Sequence, residues 1–133
     1  MAKKTDNKLG HIHLGKISNP DYIPEIASLF QSLENLEWML CSGIFKNQIF
    51  FSIRSKNELT AGINAEKIAK KLKGSGGGHS NKGAGQIPIK TTPINDALNR
   101  FIATFKTLLN IKDVTGHPIS SFKYNSVLSR RIW

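Results

Sequence analysis

The sequence predicts an α+β or α/β fold, a small mixed sheet packed with about three helices in a single domain, and three observations carry that reading. The chain has 133 residues, 39% hydrophobic and 21% charged, which suits one domain with a modest core. Three stretches place apolar residues at helical spacing, and shorter stretches rich in β-branched and aromatic residues lie between them. The order along the chain is helix, two strands, helix, glycine loop, strand, helix, which sets helices against one sheet.

Residues 1–8 are polar and read as a frayed end. Residues 10–18 (GHIHLGKIS) alternate briefly, as an edge strand or a linker would, so 1–15 is assigned to a tail or linker and 16–109 to the domain. Asn19, Pro20 and Asp21 open a helix over about 21–34, in which Ile23, Ile26, Ala27, Phe30 and Leu33 form one apolar face. Residues 37–45 and 48–54 read as a hairpin around Lys46 and Asn47, a turn without the usual glycine. After a polar loop over 55–63, Asn64 is the expected cap of a second helix. Ala65, Ile68, Ala69 and Leu72 form its apolar face, and Gly74 ends it. A glycine-rich segment, 74–85, leads into the apolar QIPI. The third helix has the clearest pattern, from Ile94 through Phe101 and Phe105 to Leu109, with Asn95 and Asp96 at its start. Residues 110–133 lose the periodicity and are read as a C-terminal extension.

Composition narrows the function classes. No run of about 18 apolar residues occurs, and the polar N-terminus lacks an apolar signal region, so no membrane partner is expected and the cytoplasm is the expected location. The single cysteine, Cys41, cannot close an intrachain disulfide and sits in an apolar stretch with no basic neighbour to activate it. Nineteen Lys and Arg against nine Asp and Glu give a net charge of +10, which favours a polyanionic partner. Residues 54–90 hold eight of those cations against two glutamates, a local excess of +6. Taken singly, Lys67, Lys70, Lys71 and Lys73 read as the solvated face of a helix.

Catalytic chemistry is poorly represented. Asp6, Asp21, Asp96 and Asp113 are each isolated, and His11 with His13 offers two ligands where a metal site needs more. No metal site and no catalytic residue is expected in this chain. The glycine segment is the candidate binding element. Gly76, Gly77 and Gly78 would let a phosphate approach the backbone, His79 can donate to it, and Lys82 and Arg54 can add charge. It matches neither GxxxxGK[ST] nor a GxGxxG turn after a strand, and a flexible spacer is the other reading of its composition.

Ser52, Arg54 and Ser55 in FSIRS, Ala65 and Ala69 in the next helix, Gly76 to His79 as GGGH, and the pair Ala84 and Gly85 together resemble the C-terminal DHH-associated domain of DHH-family phosphoesterases. The resemblance covers roughly residues 16–105. It implies a substrate-binding domain that closes over nucleotides, short RNA or single-stranded DNA, or related phosphates. A separate N-terminal DHH domain would hold manganese and carry out the hydrolysis, so this chain is expected to hold no cofactor and not to be catalytic alone. By the same resemblance Arg54, Ser55, Gly76, Gly77, Gly78 and His79 would bind the substrate phosphate. Four residues, Ser80 to Gly83, separate His79 from Ala84, two more than in the common form, which leaves Lys82 without an assigned role. A stand-alone single-stranded nucleic-acid-binding module using the same basic face is the alternative, and a homodimer stays open.

Overall fold

The chain runs β1 (Leu9–Lys16), α1 (Tyr22–Glu34), β2 (Trp38–Phe45), β3 (Gln48–Ser55), α2 (Ala61–Lys71), β4 (Ser75–His79), β5 (Lys82–Pro88), α3 (Ile94–Leu109) and β6 (Val114–Gly116). These positions come from a computed structural model, which describes residues 9–34, 36–110 and 114–116. The polar end over 1–8 and most of the 110–133 extension lie outside the described residues. The strands form one sheet in the order β4-β5-β3-β2-β1-β6. β1 runs parallel to β2 and β6, and the remaining pairs are antiparallel. The sheet is therefore mixed and the fold α+β, as the alternation of patterns predicts.

Two clusters cover its two faces. On one, Leu40, Ile49, Phe51 and Ile53 pack against Ala61, Ala65 and Ile68 of α2 and Phe101 and Phe105 of α3. The rings of Phe51, Phe101 and Phe105 lie 5.1–5.6 Å apart, within the range where aromatic pairs attract beyond their burial. On the other, Ile12, Leu14, Met39 and Cys41 meet Ile23, Ile26, Ala27 and Phe30 of α1. Cys41 is fully buried there, as expected.

Four expectations are corrected. Residues 9–15, assigned to a tail or linker, form β1, which lies between β2 and β6 rather than at an edge. Its parallel partners make it interior, and a parallel partner is invisible to local patterning. The helix expected to be capped by Asn64 begins earlier: Thr60 occupies the N-cap, and Asn64 is buried inside α2, donating from Nδ2 to Thr60 Oγ1 at 3.3 Å. Gly74 helps to end α2, but Lys73 takes the left-handed position at φ 65°. Gly74 N–H then bonds to Ala69 O and Lys73 N–H to Lys70 O, the paired bonds of a Schellman cap. Finally, the glycine loop is a β-hairpin. Residues 75–79 and 82–88 pair antiparallel around Ser80 and Asn81, with β4 as the sheet edge.

Candidate functional site

The glycines of this hairpin are explained first by α2. A Cβ on Gly83 would sit 2.5 Å from Ala61 O, and one on Gly76 2.9 Å from Ala65 O. Helix and hairpin thus meet backbone to backbone, closer than side chains would permit. At Gly78 a positive φ of 152° adds a conformational reason. Gly77 differs, since a Cβ there would meet nothing within 4 Å. It belongs to the opposite, open face of the hairpin.

Register decides what shares that open face, because directly paired residues in an antiparallel sheet point the same way. Arg54 pairs with Lys82, and Lys82 with His79. The next row is Ser52, Ala84 and Gly77, and the next Phe50, Gln86 and Ser75. The first row sets three nitrogen-bearing side chains across β3, β5 and β4. The hairpin turn is held at both sides, with Ser55 N–H donating to Asn81 O at 3.0 Å and Ala61 N–H to Ser80 O at 2.9 Å.

Arg54 is the buried member, 8% exposed, while Lys82 and His79 are exposed. One guanidinium nitrogen, Nη2, donates to Pro24 O at 3.2 Å, and Nε is buried without a hydrogen-bond partner. Burial pulls the Arg54 pKa below its ordinary value, and an arginine still remains charged at neutral pH. Arg54 and Lys82 are two cations directly opposite one another, and such pairs repel. The row thus sets two cations and the exposed His79 side by side, with Pro24 O accepting from the buried one. Beside it, Pro20, Asp21, Pro24, Phe50, Ala84 and Gln86 line a groove of about 310 Å³ between the start of α1 and β5.

The six residues expected to bind phosphate therefore separate. Arg54, Gly77 and His79 share the open face. Gly76 and Gly78 alternate with Gly77 and belong to the other side, and Ser55, paired with Trp38, donates its hydroxyl to Glu58 O instead. The glycines also sit in a strand rather than in a loop, with β4 at the edge of the sheet. Lys82, which the sequence offered as an added charge and the longer spacer put in doubt, stands in the centre of the row. The signal for it was the two-residue spacer Ser80-Asn81, which as a tight turn sets 82 opposite 79.

Among the described residues no group of three or more His, Cys, Asp or Glu could hold a metal ion. His11 Nε2 and His13 Nδ1 lie 3.0 and 2.9 Å from Ser42 Oγ, so the hydroxyl donates to one ring and accepts from the other. Those two nitrogens serve each other through Ser42, and this donor set does not fit a cation. No helix among the described residues is long and apolar enough to cross a membrane.

Among solved structures, the chain is similar to the C-Ala domain of alanyl-tRNA synthetase from Aquifex aeolicus. The TM-score is 0.59 at 19% identity, over 77% of this chain and 88% of that one, a likeness of fold. It also matches a pGpG-specific phosphodiesterase from Vibrio cholerae, with a TM-score of 0.42 and 18% identity over 65% of this chain and 28% of that one. A DHH-domain protein described as a member of the S1p family of ribosomal proteins matches at 0.43 and 20%, over 72% and 22%. The chain thus spans under a third of the length of the last two. No curated protein matches it. The DHHA1 domain model matches residues 6–110, a span that takes in all three helices, both hairpins and the Arg54 row, and on that match the chain belongs to the DHHA1 domain family.

Proposed function

We propose that this domain binds the phosphate of a nucleotide or short nucleic acid for a DHH-type phosphoesterase, and is not catalytic alone. The observation that carries the reading is the register of β3, β5 and β4, which aligns Arg54, Lys82 and His79 on the open face with the buried Arg54 Nε unpartnered. A phosphate oxygen would supply that partner and relieve the repulsion between Arg54 and Lys82 through charge-assisted bonds. Gly77 leaves the oxygens room to approach β4. The neighbouring groove, with Phe50, Pro20 and Pro24 in its wall, suits the nucleoside. Hydrolysis, and the manganese it uses, belongs in this reading to a separate DHH catalytic domain.

The test is a titration of this chain with adenosine monophosphate and with oligoadenylates of two, five and fifteen nucleotides, followed by amide shifts. Saturation by the dinucleotide, with shifts at Arg54, Gly77, His79 and Lys82, is the expected outcome. Arg54→Ala and His79→Ala should each weaken dinucleotide binding by roughly ten- to a hundredfold, the equivalent of about 1.5–3 kcal/mol for a lost charge-assisted bond. Parent-like binding by both variants would rule the row out.

A further inference from the structure

A second concentration of positive charge lies at the far end of the sheet, on the face covered by α2 and α3. There a cleft of about 210 Å³ opens between the end of α2, the end of β5 and the first turns of α3. Its floor includes Ile49, Ile87 and Ile89, none more than 5% exposed. Its rim carries Lys71, Lys73, Lys90 and Arg100, and no carboxylate lines it. Among the described residues none of these four cations is ion-paired; the salt bridge on α2 joins Lys70 to Glu66. A further hollow of about 350 Å³ continues along α3 past Ala103, Thr104 and Thr107, sharing Lys71 and Arg100 with the first. The cations therefore border a track rather than a single spot.

The backbone adds an independent observation. Lys73 and Lys90 both stand in the left-handed region, at φ 65° and 57°. Glycine is favoured there because a Cβ crowds the backbone, and Lys73 fills the position of the α2 cap that glycine takes most often. Both strained positions put a lysine on the rim of the same cleft, and backbone strain tends to gather at functional positions.

We infer that this cleft and its continuation bind the phosphodiester backbone of a single-stranded nucleic acid. Unpaired cations along a groove match a chain of phosphates, and the half-buried Leu72, Pro88 and Ala97 among them offer apolar surface to a base that a duplex would keep stacked. β5 runs seven residues from Lys82 to Pro88, so this site lies about 20 Å along the sheet from the Arg54 row and on the other face. It stands or falls separately from the reading of that row.

The experiment is fluorescence anisotropy of a labelled fifteen-residue oligothymidylate with the full chain, between about 50 and 200 mM salt. Replacing Lys73→Gly and Lys90→Gly together removes two charges and relaxes both backbones, so the double variant should melt at or above the parent's temperature. Its affinity should fall about tenfold at the lowest salt. Its plot of log affinity against log salt should flatten by about 1.4, since each phosphate neutralised on a single strand adds about 0.7 to that slope. Asparagine at both positions also tolerates the left-handed region and should give the same two readouts. The loss should be as large in an Arg54→Ala background, since distant sites add. Parent-like affinity and slope in both double variants would overturn the inference, as would a fifteen-base-pair duplex binding as tightly as the single strand.

Discussion

The two hairpins of the sheet, β2–β3 and β4–β5, turn on two residues each and are built on opposite principles. In β2–β3 nearly every position is buried, and both Lys46 and Asn47 take positive φ, 50° and 60°, the twist-matched conformation that such turns favour. Its strands are held by side-chain mass, with Phe51, Leu40 and Ile53 filling the space under α2 and α3. β4–β5 has almost no such mass: Gly76 and Gly83 face α2, Gly85 faces the Phe51 ring, and a Cβ on Gly78 would meet the backbone of β5. Its stability comes from backbone brought close to α2. One half of the sheet is thus sensitive to atoms removed and the other to atoms added. The second design also leaves a thin edge whose far face stays open for Arg54, Lys82 and His79.

The largest effect should come from removing mass in the first half. Phe51 is 2% exposed at the centre of the aromatic trio, and Phe51→Ala should cost about 3–5 kcal/mol, the range for deleting a buried ring. Urea denaturation of both proteins measures it. A loss under about 1 kcal/mol would mean that the trio does not anchor α3.

The same half carries an acid liability. Burial, reinforced by the neighbouring His13, pulls His11 down to about 3, and burial lowers His13 as well. Folding therefore favours the neutral rings, while the unfolded chain takes up protons from about pH 6.5 downward. The stabilisation is complete above pH 6.5 and is lost as pH falls from there toward about 3. For His11 alone the slope approaches ~1.4 kcal/mol per pH unit, with more proton uptake by the unfolded state at each step. Unfolding measured at pH 7, 5 and 4 should show this slope, and His11→Gln, which can still bond Ser42, should flatten it. An unchanged slope would place the acid sensitivity elsewhere.

How much of this was legible in the sequence follows the same division. α1, α3 and the β2–β3 hairpin show in apolar spacing because their side chains do the packing, and Ile94 to Leu109 was readable almost to the residue. β4 was hidden because glycine carries no strand preference, although α2, the helix it packs on, was readable from Ala65, Ile68, Ala69 and Leu72. β1 was read only as an edge strand or a linker because its burial comes from parallel partners distant in sequence. At the site, Arg54 and His79 were singled out by the family resemblance, but resemblance names residues and not faces. Only register separates Gly77 from Gly76 and Gly78, and only the tight turn at Ser80 and Asn81 brings Lys82 between Arg54 and His79.

A matched pair of single-methyl additions sharpens the contrast within the glycine hairpin itself. At Gly83 a new Cβ would lie 2.5 Å from Ala61 O and 2.8 Å from Ala65 Cβ, against helix backbone that cannot rotate away. Gly83→Ala should therefore lose about 1–3 kcal/mol, the usual cost of overpacking. At Gly77 the same methyl enters open space, and Gly77→Ala should leave stability unchanged or raise it by about 0.5 kcal/mol through the unfolded chain. Ligand binding should rank the pair the other way. The Gly77 methyl stands on the open face, one row from Arg54, Lys82 and His79, and should weaken dinucleotide binding in a protein that melts normally. Folded Gly83→Ala should bind as the parent does, because its methyl points to α2. Equal melting losses in the two variants would mean that the hairpin has no open face, and with that the row proposed to hold phosphate would lose its access.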